Sequence, residues 1–222
     1  MSPSSPEGHA ALPAILLAAG LSARMGAFKP LLPLAGQPLL LRVIDALRDS
    51  GVIGEILVVT GHRAAEVEAA LAGANVITVF NPDYERGEML SSIRAGISAL
   101  FDRGKPPPGF VLAFADQPAV LSATIRALVE AFGAKNPPLA IPQYAGRRGH
   151  PLVLSAALMP EIAALAPPET LRTVVHRHLP HAALVTVDDP SVLDDLDTPE
   201  DFARAQAAFH ASPPADSGRQ IR

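Results

Sequence analysis

AILLAAG, residues Ala14–Gly20, is a continuous apolar run that stops at a glycine. A strand buried on both faces of a parallel sheet reads this way, because neither face meets water. Three runs of the same kind follow: EILVVT at Glu55–Thr60, NVITVF at Asn75–Phe80 and FVLAFA at Phe110–Ala115. A fifth, ALVTV at Ala183–Val187, lies near the end. Helical spacing fills the intervals. Leu40, Val43, Ile44 and Leu47 follow the i, i+3, i+4, i+7 pattern of one helix face, with Gly51 as its C-cap. A short helix is expected over Arg63–Ala72, another over Leu90–Phe101, and a third on Ile125, Leu128, Val129 and Phe132. LAIP and PLVL flank YAGRRGH, which predicts a loop or hairpin between two strands. Two helices follow near Ser155–Leu165 and Thr170–His178. A last helix starts at Pro199, capped by Thr198, with Phe202, Ala205 and Phe209 on its apolar face. Alternating strands and helices predict a three-layer α/β/α sandwich on a Rossmann-like, mostly parallel sheet. Such sheets bind ligands beyond the carboxyl ends of their strands.

The composition supports this. Of 222 residues, 49% are hydrophobic and 18% charged, enough for a sizeable core. One domain is expected over 13–210, between flexible tails at 1–12 and 211–222. Cysteine is absent, which excludes disulfides, thiol catalysis and Fe–S ligation. A net charge of -4 argues against a nucleic-acid partner. No apolar run reaches the ~18 residues of a membrane span, and the first dozen residues lack a signal-peptide pattern. No membrane partner and a cytoplasmic location are therefore expected. Proline is abundant, at 23 residues. Pro30, Pro33, Pro38, Pro82, Pro118, Pro151 and Pro199 sit within or beside the segments that carry chemistry, where a fixed φ holds a loop at low entropy cost.

The loop after the first strand, LAAGLSARMGAFKPLL, carries Gly20, Gly26, Arg24 and Lys29. Glycine turns bring backbone N–H groups close to an anion, and Arg24 and Lys29 add fixed positive charge suited to phosphate. The loop is neither a Walker loop nor GxGxxG. A basic surface loop is the alternative. Asp116 follows an apolar strand, where a carboxylate is placed for a metal or for capping the next helix. Asp194, Asp195 and Asp197 precede the last helix, where caps are also common. The seven histidines lack metal-binding spacing.

Four segments together resemble one family. LAAGLSARMGAFK matches the LAxGxSxRMGxxK loop of nucleotidyltransferases with a GT-A-like fold. FADQP at Phe114–Pro118, RGHP at Arg148–Pro151 and LDTPED at Leu196–Asp201 resemble its molybdenum cofactor cytidylyltransferase branch, in order. The likeness spans about Ala14 to Phe209.

The resemblance implies a role for each segment. Arg24 and Lys29 would hold a triphosphate, with Lys29 near the α-phosphoryl group, and Leu17, Ala18, Ala19 and Gly20 would line base and phosphates. Asp116 and Asp197, or Asp195 in place of the latter, would bind Mg²⁺. Gly87 and Ser91, within NPDYERGEMLSSIRAG, would contact base and ribose, although Glu88 separates Gly87 from Met89 where the family pattern joins Gly to Met. Arg147, Arg148 and His150 would face the acceptor. Ala19 and Gln117 match the cytidine-using form, where guanylyltransferase relatives read LAGG and DMP. The implied reaction moves CMP from CTP to the phosphate of molybdopterin, with transient contact to a molybdenum hydroxylase or its maturation factor. Rival readings are a GTP-using enzyme, a sugar- or alditol-phosphate nucleotidyltransferase, and a non-catalytic cofactor carrier.

Overall fold

The computed structural model describes residues 11–22, 25–86, 88–104 and 106–211. Arg24, Gly87 and nearly all of the two expected tails lie outside the described residues. Strand β1 spans Leu12–Leu17, two residues earlier than its apolar run suggests, so Ala18 and Ala19 begin the loop. A 3-10 turn at Lys29–Leu31 leads to a small ribbon, β2 (Pro33–Leu34) and β3 (Gln37–Pro38). This ribbon has no counterpart in the pattern of apolar runs. Its two-residue turn places Ala35 at φ 47 and Gly36 at φ 82, the paired positive φ values of a tight hairpin turn.

Helix α1 (Leu39–Asp49), β4 (Ile53–Thr60), α2 (Ala64–Ala70), β5 (Ile77–Phe80) and α3 (Glu88–Phe101) follow. Then come β6 (Gly109–Phe114), α4 (Ser122–Lys135), β7 (Leu139–Tyr144), β8 (Arg147–Arg148) and β9 (Leu152–Ser155). The chain continues through α5 (Met159–Ala164), α6 (Leu171–His178), β10 (Ala183–Thr186) and α7 (Pro199–Ala211).

The main sheet runs β10-β7-β9-β6-β1-β4-β5, with β8 paired to β7. Strands β5, β4, β1 and β6 are mutually parallel, as are β7 and β10. Strand β9 is antiparallel to both of its neighbours, so the sheet is mostly parallel, as expected. YAGRRGH forms the expected hairpin, with Gln143 opposite Arg148 and Tyr144 opposite Arg147.

Alternation within β1 divides the core. Leu12, Ala14 and Leu16 face one side with α1 and α4, whose contributions include Leu40, Ile44, Leu128 and Phe132. Ile15 and Leu17 face the other side with Ile93 and Ile97 of α3, Ile162 of α5 and Val174 of α6. All of these side chains are nearly inaccessible to water. Each large one contributes ~1.5–3 kcal/mol by leaving water. Phe202, Ala205 and Phe209 of α7 pack on a third cluster of Met25, Leu34, Leu39 and Leu196, as their spacing predicts.

From β1 the chain moves outward to β4 and β5, then returns to place β6 on the other side of β1. The strand order therefore reverses between β1 and β6, the position where open α/β sheets form a ligand crevice. Leu17 pairs with Val59 of β4 and with Phe114 of β6, so the three strands end at one height. Their following loops emerge side by side.

One glycine governs how the late acidic segment approaches this edge. A Cβ on Gly149 would lie 2.6 Å from the carbonyl carbon of Val192 and overlap its oxygen. The next residue donates its backbone N–H to that oxygen at 2.9 Å. Gly149→Ala is expected to force these backbones apart, costing ~1–3 kcal/mol. Calorimetry should show a melting temperature lower by roughly 3–10 °C. An unchanged melting temperature would mean that the Val192 segment is not held at this distance.

Candidate active site

The loops at the switch point surround a cleft of about 590 Å³. Leu17, Ala18, Ala19 and Gly20 line one side, and Lys29, Asp116, Asp195 and Asp197 meet at its charged end. Ala18 donates its backbone N–H to Val59 O at 2.9 Å, and His62 donates to Ala19 O at 3.2 Å. Both alanines are thus tied to the end of β4. The Ala19 methyl sits where Gly61 has no side chain: a Cβ there would be 2.9 Å from it and 2.6 Å from Tyr84 Cβ. The first loop is consequently built on a close approach of three backbones.

Lys29 is 8% exposed, which is unusual for a lysine. Its backbone N–H donates to Ser22 Oγ at 3.0 Å. Its ammonium donates to Asp197 Oδ1 at 2.6 Å and to Asp116 Oδ2 at 3.3 Å. A buried ammonium is costly unless paired, and two neighbouring carboxylates are costly without a cation. Each of the three groups therefore makes the others tolerable.

Backbone and side-chain bonds hold the carboxylates together. Leu196 donates its N–H to Asp116 O at 3.1 Å, and the Gln117 amide donates to Asp195 Oδ1 at 2.7 Å. Thr198 and Asp201 close a reciprocal cap at the start of α7, with Asp201 N–H to Thr198 Oγ1 at 3.2 Å and Thr198 N–H to Asp201 Oδ2 at 2.8 Å. This is the capping role expected of Thr198, with Asp201 as its partner. Further back, the buried Asp189 carboxylate accepts from Leu121 N–H at 3.0 Å and Thr124 Oγ1 at 2.7 Å through one oxygen, and from Ser191 N–H at 3.1 Å through the other. The sequence reading did not single out Asp189. Its only local signal is Asp-Pro before a turn, and its partners are far away in the chain.

Burial pushes the Asp116 carboxyl above the usual carboxylate range, against the pull of Lys29 and with added repulsion from Asp195. Asp195 is also raised, by partial desolvation first, although the Gln117 amide favours its charged form. Burial lowers the His150 pKa, opposed by the Asp116 charge. That ring meets Phe114 edge-on at 4.8 Å, and its Nδ1 is buried with no hydrogen-bond partner among the described residues.

Phe114, His150 and Met89 separate the cleft from a second cavity of about 520 Å³. Its wall is apolar, with Ile93, Ile141, Leu152, Leu171 and Val175, while Arg148, Arg172 and His176 add basic groups. Arg148 lines this second cavity, and His150 touches both spaces. Arg147 is exposed and does not line either cavity. The contribution of α6 was not foreseen, because Arg172 and His176 read as ordinary surface positions of a helix.

Gln117, a mark of the cytidine-using form, and Ser91, an expected base or ribose contact, meet a different environment. Gln117 is 4% exposed, lies off the cleft wall and spends its amide on Asp195. Ser91 accepts from the Asn81 amide at 2.8 Å, whereas its neighbour Ser92 lines the cleft. Tyr84 and Glu85, which the sequence reading did not assign, also line it.

A family model described as the MobA-like NTP transferase domain matches residues 14–183. The chain belongs to that family. It is a nucleotidyltransferase, and its sheet and helices form the α/β fold of related nucleotidyltransferases. It is 28% identical over 201 residues to the molybdenum cofactor cytidylyltransferase of Escherichia coli, covering 90% of this chain and 97% of that one. It is 32% identical to the nicotine blue oxidoreductase of Paenarthrobacter nicotinovorans, covering 86% and 94%. Among solved structures it is similar to Rv0371c from Mycobacterium tuberculosis, with a TM-score of 0.77, 30% identity and coverage of 90% and 99%. The same Mycobacterium protein is known in complex with manganese, at a TM-score of 0.72, 28% identity and coverage of 89% and 99%.

The raised Asp116 carboxyl has a consequence for this MobA-like site. The folded protein holds that proton more tightly than an unfolded chain, so a cationic partner loses its carboxylate at a higher pH than usual. The acid limb of turnover should have its midpoint above the ~3.9 of an isolated aspartate. Asp195→Asn removes a repelling charge and should move the limb to lower pH. A pH–rate profile in which Asp195→Asn leaves the limb in place would contradict this coupling.

Proposed function

We propose that this protein transfers a CMP unit from CTP to the terminal phosphate of molybdopterin, with Mg²⁺ as cofactor. The observation that carries the reading is the Lys29 ammonium held between Asp116 and Asp197 at the switch point. An ammonium bound by two carboxylates marks a place where a cation is stabilised. Among the described residues, no group of three or more His, Asp or Glu side chains is set to cage a metal. Two carboxylates suit Mg²⁺, which keeps waters and takes its remaining ligands from phosphate.

The reaction needs positioning and charge compensation. An oxygen of the acceptor phosphate attacks the α-phosphorus of CTP, the bond to the β-phosphate oxygen breaks, and the electron pair leaves with pyrophosphate. In this reading Lys29 and Arg24 hold the triphosphate, with Lys29 nearest the α-phosphoryl group. Asp116 and Asp197 hold Mg²⁺, which when bound supplies neutralisation of the phosphate oxygens. Leu17, Ala18, Ala19 and Gly20 line the nucleotide, with Gly87 and Ser91 toward base and ribose. Gln117 acts through Asp195, as a positioning residue. Arg148 and His150 face the acceptor, whose body would enter the apolar second cavity beyond Phe114. That lining suits a flat heterocycle better than a sugar or alditol, which would call for many polar partners. Ala19 and the cytidylyltransferase relative favour CTP over GTP. The product would pass to a molybdenum hydroxylase or its maturation factor.

The test supplies Mg²⁺, molybdenum-loaded pterin and each of the four NTPs in turn, and measures pyrophosphate. Release with CTP is expected, together with loss of at least ~10²-fold in turnover for Asp116→Asn at unchanged melting behaviour. Release with GTP alone overturns the cytidine assignment. Tight pterin binding without release from any NTP points to a carrier.

A further inference from the structure

The Lys29 ammonium occupies one oxygen of each carboxylate that a divalent cation would use. It lies 2.6 Å from Asp197 Oδ1 and 3.3 Å from Asp116 Oδ2. A cation ligated by those carboxylates would approach their oxygens to about 2.0–2.1 Å, where it and an ammonium in hydrogen-bond reach of the same atoms repel strongly. The arrangement is anchored at its base through the backbone and held at its tip by the two ion pairs. The Lys29 backbone is pinned by Ser22 Oγ at 3.0 Å and followed by Pro30, inside a 3-10 turn. The four-carbon stem can rotate while that anchor stays.

Resting on the proposed function, we propose that Lys29 is a built-in placeholder for the metal, which makes metal entry conditional on nucleotide. Without nucleotide, the ammonium neutralises Asp116 and Asp197 and keeps divalent cations out. A triphosphate offers a denser negative charge just beyond, draws the ammonium toward its phosphates and releases the carboxylates. Metal and nucleotide affinities are then positively coupled, each raising the other by one factor. The free protein avoids both an unpaired carboxylate pair and a metal bound in a non-productive state.

Binding of Mn²⁺ alone, followed by electron paramagnetic resonance, tests this. Wild-type protein without nucleotide should bind Mn²⁺ weakly at this site. Lys29→Met should bind it about ten-fold tighter or more, and Lys29→Gln provides a second neutral variant in case the first folds poorly. In the Lys29→Met background, Asp116→Asn should remove the gain, because the gain comes from vacated oxygens and not from a general loss of positive charge. Tight Mn²⁺ binding by nucleotide-free wild type, or no gain in either Lys29 variant, overturns the placeholder. A gain that survives Asp116→Asn overturns it as well. The underlying reading fails separately: it is lost if Asp116→Asn alone retains full pyrophosphate release from CTP.

Discussion

One ion-pair cluster ties together three distant parts of the chain. Lys29 reaches Asp116 across 87 positions and Asp197 across 168. None of these groups is comfortable alone. The ammonium is buried, Asp116 is desolvated, and a third carboxylate, Asp195, adds repulsion. The cluster therefore persists only because the surrounding fold brings all of its members to one point. Leu196 bonded to Asp116, and Gln117 bonded to Asp195, are two of the links that do so. Asp189 anchors the same segment from behind, on the first residues of α4. Disturbing any of these bonds would move carboxylates relative to the lysine, not merely loosen a surface.

The sheet explains why the cluster forms where it does. Strands β1, β4 and β6 finish level with one another, and the chain reverses its lateral direction between β1 and β6. A crevice at that place follows from topology. Its chemistry follows from which residues come next: alanines and a glycine after β1, an aspartate after β6. The same edge continues past Phe114 and His150 into the apolar second cavity, so two ligand-sized spaces share one wall.

The layered fold was legible because the buried strands are unbroken apolar runs and because α1 and α4 show regular helical spacing. Lys29, Asp116, Asp197 and the alanine-glycine turn were legible because they stand immediately beside those strands in distinctive motifs. Gln117 was legible as a motif member but not in its contact, since its partner lies 78 positions away. Asp189 and the α6 wall were hidden for the same reason. Nothing local distinguishes a carboxylate that will cap a remote helix, or an arginine that will edge a cavity, from an ordinary solvent-facing side chain. The β2–β3 ribbon was hidden because it is only two residues per strand, too short for any period to show. Several of the prolines noted beside the site do sit at rigid turns. Pro30 lies in the first turn of the Lys29 helix and Pro199 at the start of α7, where a fixed φ costs no lost hydrogen bond.

Anomalous diffraction from crystals grown with CTP and Mn²⁺ tests the central claim most directly. The account predicts a manganese peak shared by Asp116 and Asp197, with the Lys29 ammonium moved off both carboxylates onto the triphosphate. A manganese peak elsewhere, with Lys29 still between the two aspartates and CTP bound, would contradict it.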